Sequence, residues 1–590
     1  MTDNPSVVLS DRSVLIGMLI LFGIVLTATT IRGVFIIDED NYLATVVGLR
    51  HGTLFAPGTE GLTPSRELVW FDPEAGRRVV QSTPVVSLVP PLYAFIAFPF
   101  SYAGWRGLVF LNILSFLATI YIVFCYVKTL THRRASPWIA AILFALGGYC
   151  IEYSQGMWPQ MLSVALCLGS VFIGSKARRE GSLGYALLAG ILIGIATGIR
   201  EQNIFFAGCL GLGLLLYSPR KVRIATGYVV GVAILLAIIA TLNFNRFGIW
   251  HPFPKIVSYS QEVGATTVSS SMIEPLRVLW SKVVDYSSYG PNTAHIRGGY
   301  YQWDALSGTV LMNGIVKKSW IQSSPWIGLS LIVMIIAWIS FRTKGSDTTK
   351  ENRLIGLIVL PTLLMFAVAG FDRTDGLSFN QRYFLELLPL SAITLSLVLD
   401  GATLKFFHLS VGSLTGFALV VLILVLPQES MRHLGQRYLP LLLALALVLV
   451  WYFSNAPRLI SLLLGICVGW ALFSHLETDL VGSRFRREIN AARYSIMEKT
   501  IPDHSALFTY WGNKDAAGPL QLANDVVILD VWADGGIDAG QLENQLLAAN
   551  RRVFILENDM PTETLGRLLA NRTVSDHTEE NFKLVEVSNR

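Results

Sequence analysis

Long apolar runs, separated by short polar segments, follow one another along most of the chain. An α-helix needs about 20 apolar residues to cross a bilayer, and most of these runs come close to that length. The pattern therefore predicts a helical membrane protein with about thirteen spans. The predicted spans cover roughly residues 14–35, 107–127, 136–151, 158–175, 183–199, 203–218, 224–243, 322–341, 354–371, 383–400, 409–427, 438–453 and 457–474.

Composition agrees with this pattern, because 52% of the residues are hydrophobic and only 15% are charged, against about 25% in soluble domains. The net charge of +5 is small for 590 residues and does not indicate a nucleic-acid partner. No small-residue cleavage site follows the first apolar run, which we expect to be retained as a span. The cysteines lie in or at the ends of apolar runs and indicate no disulfide or metal framework. They are Cys125, Cys150, Cys167, Cys209 and Cys467.

Residues 84–100 are also apolar but contain four prolines, which suit a re-entrant or interfacial segment better than a straight span. This segment decides the orientation of the chain, since Lys and Arg gather in cytoplasmic loops. With thirteen spans and the N-terminus inside, four basic loops all face the cytoplasm. If residues 84–100 also crossed, all four would face outwards. We therefore predict that residues 84–100 do not cross. The basic loops contain Lys128, Arg133 and Arg134; Lys176, Arg178 and Arg179; Arg220, Lys221 and Arg223; and Arg342, Lys344, Lys350 and Arg353.

This topology places nearly every candidate polar group on the non-cytoplasmic face. It divides the chain into a membrane module, residues 1–475, with external loops at 36–106 and 244–321, and a soluble domain, residues 476–590. The soluble domain is predicted to be a small α/β unit outside the cytoplasm. It contains no glycine-rich phosphate loop, so we assign it no catalysis. Strands are expected at 506–511, 525–531, 552–556 and 582–587, and helices at 538–550 and 561–570.

Three consecutive carboxylates, Asp38, Glu39 and Asp40, follow directly on the first predicted span. Ionised carboxylates beside hydrocarbon are poorly solvated, so groups in this place tend to have a function. Apolar residues from Tyr42 to Leu49 recur at helical spacing and predict a short amphipathic helix on the membrane surface. The alternative is an acidic helix N-cap that only marks the membrane boundary.

Four short motifs follow in order on the predicted external face. They are Asp-Glu-x-x-Tyr at 38–42, Pro-Pro-Leu-Tyr at 90–93, the loop 152–160, and an Arg-Tyr pair at 382–383 that opens a late span. In these features the chain resembles the GT-C glycosyltransferases that use polyprenyl-phosphate sugars. That class includes protein O-mannosyltransferases and lipid A aminoarabinose transferases. The resemblance covers roughly residues 10–400 and extends in outline to the C-terminal domain.

The resemblance implies an inverting transfer of a sugar from a polyprenyl-phosphate donor to a lipid, glycan or protein acceptor, in a bacterial inner or plasma membrane. It implies that Asp38 is the general base, a role that contributes about 10²–10⁴ in rate. Glu39 either binds a metal, holds the acceptor or supports Asp38. The use of a divalent cation stays open, because His251 and His295 of the long external loop are more simply explained as solvated side chains.

The same resemblance implies that several further residues bind substrate. These residues are Tyr42, Glu152, Arg200, Arg382 and Tyr383. A guanidinium matches phosphate oxygens bidentately, which makes the two arginines candidate ligands of the donor phosphate. The simpler alternatives are an interfacial anchor for Arg382, a pair with Glu201 for Arg200, and a solvated loop carboxylate for Glu152. The chain departs from members that have a charged residue before the re-entrant segment, since it has Gln-Ser-Thr-Pro at 81–84.

Other functions compete with this interpretation. A transporter or flippase of lipid-linked saccharide would place charged residues at mid-depth in its spans, whereas here Arg and Asp cluster at predicted span ends. An O-antigen-ligase-like polymer transferase would carry its catalytic residues in a late, large external loop. A non-catalytic assembly subunit would keep the fold and lose the activity.

Overall fold

The structure of the chain is a computed structural model. It describes residues 11–35, 37–54, 70–72, 77–79, 89–247, 250–253, 273–285, 318–339, 347–368, 380–401, 404–454, 456–509, 514–530, 539–558, 560, 562–570, 572–577 and 582–589. Much of the two predicted external loops lies outside these ranges, as do residues 84–88.

The membrane module is built of α-helices. Its helices are α1 (Asp11–Ala28), α2 (Ile37–Arg50), α3 (Leu92–Ser101), α4 (Gly104–Lys128), α5 (Ala135–Ala145), α6 (Cys150–Ser154), α7 (Gln160–Glu180), α8 (Leu183–Ile199), α9 (Asn203–Tyr217), α10 (Lys221–Phe247), α11 (Ile273–Val283), α12 (Trp320–Ser323), α13 (Ile327–Ile339), α14 (Asp347–Val368), α15 (Leu388–Val398), α16 (Phe406–Leu424), α17 (Glu429–Phe453) and α18 (Pro457–Ser474). The 3₁₀ turns Arg382–Leu387 and Leu399–Gly401 flank α15. Strands β1 (Trp70–Asp72) and β2 (Arg77–Val79) pair antiparallel between α2 and α3.

Seven described helices are long and apolar enough to cross a membrane. They comprise all or most of α1, α4, α7, α10, α16 and α17, and the helix that runs from Pro457 to Thr500. The shorter apolar helices, of 10–17 residues, are α3, α5, α8, α9 and α13. Each predicted span coincides with a helix or a pair of short helices. The helical membrane architecture is thus confirmed, whereas the number of thirteen crossings stays a prediction.

Helix α3 covers the second half of the proline-containing segment 84–100, which is predicted not to cross the membrane. It has 10 residues, which at about 1.5 Å per residue makes it roughly 15 Å long. The hydrocarbon core is about 30 Å thick, so a helix of this length does not cross it alone. Gly104 begins α4 with a left-handed φ of 65°, soon after α3 ends. The short helix fits a segment that does not cross.

The basic loops meet at one end of the helical module. A buried ion pair joins α7 to α14, with 2.5 Å between Arg178 Nη2 and Glu351 Oε2. Arg179 Nη1 donates to Thr129 O over 3.3 Å, and Arg220 Nη1 donates to Gly181 O over 3.5 Å. These contacts bring parts of all four predicted cytoplasmic loops together. That this end faces the cytoplasm remains a prediction.

The C-terminal domain is a small α/β unit with a five-stranded sheet. Its strands lie in the order β4 (Val526–Asp530), β3 (Ser505–Thr509), β5 (Arg552–Leu556), β7 (Leu584–Asn589) and β6 (Arg572–Asp576). The first three are parallel, and β7 and β6 are antiparallel additions. Its helices are α19 (Val481–Thr500), α20 (Lys514–Ala517), α21 (Leu520–Ala523), α22 (Ala539–Ala548) and α23 (Thr562–Leu569). The predicted strands and helices are present. Strand β6, helix α19 and the short helices α20 and α21 are not predicted from the sequence.

The join between module and domain is helical. Helix α18 continues through a π-helical turn, His475–Leu480, directly into α19. A helical join is stiffer than a flexible loop, because its backbone hydrogen bonds are satisfied within the segment. The polar face of α19 therefore lies against the segment where α2 begins.

Candidate functional site

The acidic motif after the first span lies in α2, which is enclosed between α3 and the C-terminal domain. On one side the rings of Tyr42 and Tyr93 meet edge to face, with centroids 5.2 Å apart. On the other side Arg50 Nη1 donates to Leu522 O over 3.1 Å. The sequence predicts a helix on the membrane surface, but α2 is largely buried, with Tyr42 only 8% exposed. The difference arises because the C-terminal domain covers one face of the helix.

Glu39 is fully buried and forms an ion pair with Arg487 of α19. Arg487 Nη2 lies 2.5 Å from Glu39 Oε1, and Nη1 lies 2.9 Å from Oε2. The backbone N–H of Phe35 donates to Oε2 over 2.9 Å. Both carboxylate oxygens therefore accept hydrogen bonds from the protein. Of the three roles left open for Glu39, this geometry favours support of its neighbour.

Asp38 is the second residue of α2, and its side chain lies outside the described part of the structure. Asp40 is fully buried, and Gln521 Nε2 of the C-terminal domain donates to its Oδ1 over 3.5 Å. A Cβ at Gly518 would also meet the Asp40 carboxylate, so the domain packs closely on this side chain. Glu39 and Asp40 thus both contact the C-terminal domain.

Two of the other predicted motif segments, 90–93 and 152–160, lie against α2. Tyr93, of the Pro-Pro-Leu-Tyr segment, donates from Oη to Met157 O over 3.3 Å, within the loop 152–160. Tyr42 donates from Oη to Ile199 O over 3.5 Å, immediately before Arg200. The structure therefore brings together three segments that are far apart in sequence.

Glu152 lies in a buried polar cluster at the same end of the module. Asn380 Nδ2 donates to Glu152 Oε2 over 3.4 Å and to Asp479 Oδ2 over 2.8 Å. Asp479 also pairs with Lys318, whose Nζ lies 2.8 Å from Oδ1, and with His475, whose Nδ1 lies 2.5 Å from Oδ2. Glu152 is thus not the solvated loop carboxylate of the simpler alternative, because it is 5% exposed.

Burial raises the pKa of the Glu152 carboxyl well above its usual range, and the negative charge of Asp479 adds to this shift. Glu152 Oε1 has no hydrogen-bond partner among the described residues. Lys318, His475 and Asp479 are not predicted as site residues from the sequence. The signal that could have found them is charge directly beside apolar runs, at 318 and at 475–479.

The Arg-Tyr pair lies beside Arg200. The ring centroid of Tyr383 is 5.6 Å from the guanidinium carbon of Arg200 and 5.3 Å from that of Arg382. Arg200 is 5% exposed, and its Nη1 lies 2.6 Å from Glu386 Oε1. The ion pair of Arg200 is therefore with Glu386, on the turn before α15, in place of the suggested pair with the adjacent Glu201. Arg200, Arg382 and Tyr383, three of the predicted substrate-binding residues, therefore lie side by side.

The described residues contain no group of three or more His, Cys, Asp or Glu side chains that could hold a metal ion. His251 Nδ1 accepts a hydrogen bond from the backbone N–H of Phe253 over 3.0 Å. His295 lies outside the described residues. The question of a divalent cation therefore stays open.

No protein-family model matches this sequence, and no curated protein matches it. Among solved structures, the chain is similar to ArnT from Cupriavidus metallidurans in the apo state, with 13% identity, a TM-score of 0.52 and 98% of each chain covered. It is similar to the same protein bound to undecaprenyl phosphate, with 10% identity, a TM-score of 0.52 and 98% of each chain covered. An Archaeoglobus fulgidus oligosaccharyltransferase tethered to an acceptor peptide gives a TM-score of 0.43 at 13% identity, over 93% of this chain and 69% of that one.

At these identities the likeness to ArnT is one of fold. It extends over nearly the whole chain, including the C-terminal domain. The GT-C-like fold that the sequence resemblance implies is therefore confirmed.

Proposed function

We propose that this protein is an integral membrane glycosyltransferase that takes a sugar from a polyprenyl-phosphate donor on the non-cytoplasmic face. The acceptor is a hydroxyl group of a lipid, glycan or protein. One observation supports this most: in a GT-C-like fold, the acidic start of α2 and the Arg200–Tyr383–Arg382 group lie at one end of the module. The similar ArnT structure with undecaprenyl phosphate bound supports the class of donor.

Asp38 acts as general base in this proposal. The acceptor oxygen attacks the anomeric carbon from the side opposite to the phosphate, and Asp38 takes the proton from the attacking hydroxyl. The bond between the anomeric carbon and the phosphate oxygen breaks, and its electron pair leaves with the lipid phosphate. The configuration at the anomeric carbon is therefore inverted. Glu39 and Asp40 both contact the C-terminal domain, which favours Asp38 as the carboxylate that meets substrate.

Arg382 binds the donor phosphate and stabilises the charge that develops on it as the sugar leaves. A guanidinium suits this role because it forms two parallel charge-assisted hydrogen bonds to phosphate oxygens. Arg200 lies beside the ring of Tyr383, as Arg382 does, and its charge is balanced by Glu386. Tyr42 and Tyr383 then bind the sugar or lipid phosphate, and Glu152 belongs to the buried cluster of Asn380 and Asp479.

The test is Asp38→Asn, which keeps the shape of the side chain and removes the proton acceptor. Transfer from a defined polyprenyl-phosphate sugar, measured with purified protein in detergent, is expected to fall by about 10²-fold or more. Donor binding is expected to survive, because the base acts on the acceptor hydroxyl. Asp40→Asn is the matched control and is expected to be the mildest change in the motif.

Near-normal transfer by a well-folded Asp38→Asn protein would remove Asp38 as the base. Glu152 would then be the next carboxylate to replace. No transfer by wild-type protein from any polyprenyl-phosphate sugar, with donor binding retained, would support a flippase or a non-catalytic subunit.

A further inference from the structure

The C-terminal domain, to which the sequence assigns no catalysis, holds the segment that leads into the acidic motif. One turn of α19 carries Arg487 and Asn490. Arg487 Nη1 donates to Gly33 O over 2.7 Å, and Asn490 Nδ2 donates to Val34 O over 2.8 Å. The same Arg487 binds both oxygens of Glu39. Two side chains of α19 therefore hold residues on both sides of Asp38 in sequence.

The fit at this contact is close. Gly33 has a φ of 118°, a conformation that residues with a Cβ rarely adopt. A Cβ at Gly33 would lie 3.0 Å from the carbonyl carbon of Arg487, so the turn before α2 packs directly on the α19 backbone. A bidentate Arg–carboxylate pair fixes both the distance and the relative orientation of its two elements. The turn and α19 thus form one packed unit.

We infer that Arg487 is a positioning residue for sugar transfer: it orients the start of α2, and through it the general base, from the C-terminal domain. This inference rests on the proposed function. Buried ion pairs contribute weakly to net stability when compared with apolar replacements, whereas their geometry is specific. Small displacements of a catalytic group reduce rate strongly, by up to about 10²-fold for 1 Å. The C-terminal domain is then a part of the catalytic machinery.

The test uses the full-length protein in detergent and compares Arg487→Gln with Arg487→Lys. Arg487→Gln is expected to lower kcat by about 10- to 10²-fold while the Kd for the polyprenyl-phosphate donor stays within about twofold. Arg487→Lys keeps the charge without the fork and is expected to restore part of kcat. The double variant Glu39→Gln with Arg487→Gln is expected to be no slower than the slower single variant, because both act through one contact.

Arg32→Gln is the matched control. Arg32 also ties the module to α19, through Nη2 and Glu498 Oε1 at 3.0 Å, but it does not contact the acidic motif. Its kcat is expected to stay at the wild-type value. If Arg487→Gln does not fold, Asn490→Ala decides, with a smaller loss of kcat expected at unchanged donor Kd.

Wild-type kcat in folded Arg487→Gln protein, or an equal loss of kcat in Arg32→Gln, would overturn the positioning role. Equal losses of donor affinity and kcat in Arg487→Gln would also overturn it. Failure of the proposed function gives a different result, because the Asp38→Asn protein would then keep near-normal transfer activity.

Discussion

Two arginines beside one tyrosine ring have different surroundings, and this difference separates their roles. Arg200 is 5% exposed and is paired with Glu386, which also accepts a hydrogen bond from Ser163 Oγ over 2.7 Å. Arg382 is only half-buried, on the turn that precedes α15. A buried guanidinium that is paired with a carboxylate is costly to separate from it, whereas a more accessible guanidinium can meet a ligand. This difference supports the proposal that Arg382, and not Arg200, binds the donor phosphate.

Replacement of Arg382 by Ala is accordingly expected to weaken donor binding, and replacement by Lys to restore it only in part. A lysine supplies the charge but not the bidentate fork. The measurement is the Kd of a polyprenyl phosphate, by titration of purified protein in detergent. Arg200→Ala gives the contrast, since it leaves Glu386 buried without its cation and is expected to destabilise the fold by about 3–5 kcal/mol. Unchanged donor affinity in Arg382→Ala protein would move the phosphate role to another cation.

Glu152 is expected to give the protein a measurable pH dependence of stability. Its pKa is raised by burial, so the folded protein keeps this proton at pH values where the unfolded chain, with a pKa of about 4.3, has lost it. Stability therefore falls as pH rises through this window and levels off above the folded pKa. Glu152→Gln removes this titration, so its stability relative to wild type is expected to increase with pH over the same window.

The readout is the thermal unfolding midpoint of both proteins in detergent, across a series of pH values. A difference between the two that is independent of pH would contradict the burial of an ionisable Glu152. A stability of Glu152→Gln relative to wild type that falls as pH rises would contradict it as well.

At the scale of elements, apolar length predicts most of the helices, because each span must satisfy its own backbone hydrogen bonds in lipid. The pattern does not predict α19, whose residues are mostly polar. Its buried residues include Arg487 and Asn490, against the turn before α2, and Tyr494 and Met497, in the core of the C-terminal domain. Strand β6 is missed because four of its five residues are exposed at the sheet edge, so no apolar alternation marks it. The Lys318–Asp479 pair is not predicted either, because its members are 161 positions apart in sequence.

The pair α16 and α18 shows what holds helices together where lipid surrounds them. Glycines at 412, 416, 465 and 469 let the two backbones approach closely. Lipid tails are as apolar as leucine, so close packing replaces the hydrophobic effect as the source of association. A Cβ at Gly416 would lie 2.6 Å from Trp470 N.

Replacement of Gly416 by Ala is expected to force these helices apart and to destabilise the protein by about 1–3 kcal/mol. Gly208→Ala in α9 is the matched control, because a Cβ there meets nothing within 4 Å. That change is expected to be neutral or to stabilise by about 0.5–1 kcal/mol, since alanine is the better helix former. Thermal unfolding in detergent compares the two. Equal midpoints for both variants would show that α16 and α18 do not depend on this contact.

The whole molecule has two chemically different ends, and its buried ion pairs lie near them. At one end Arg178 pairs with Glu351, which also accepts a hydrogen bond from Tyr126 Oη. At the other, Glu39 and Arg200 are each paired close to a helix end. Charge at mid-depth in a bilayer is costly and marks the pathways of transporters. This arrangement therefore favours an enzyme with a site at one face over a transporter with a central site.

Which end faces the cytoplasm can be decided by labelling single cysteines with a membrane-impermeant maleimide in intact cells. Glu563 of α23 and Lys221 of α10 are both exposed, so a reagent on the correct side can reach either position. In a background with the half-buried Cys125 changed to Ser, Glu563→Cys is expected to react in intact cells. Lys221→Cys is expected to react only after the membrane is made permeable, because basic loops stay in the cytoplasm. Positions within 255–315 are expected to follow Glu563→Cys.

Reaction of both variants in detergent is the control for accessibility. The reverse result in intact cells, with Lys221→Cys labelled and Glu563→Cys protected, would contradict an odd number of crossings between an inside N-terminus and the C-terminal domain. It would also turn the start of α2 and Arg382 toward the cytoplasm, since both lie at the end that carries the C-terminal domain. The donor would then have to be used from the inner leaflet, and the proposed site would need a nucleotide-activated or inward-facing substrate in place of an external lipid-linked one.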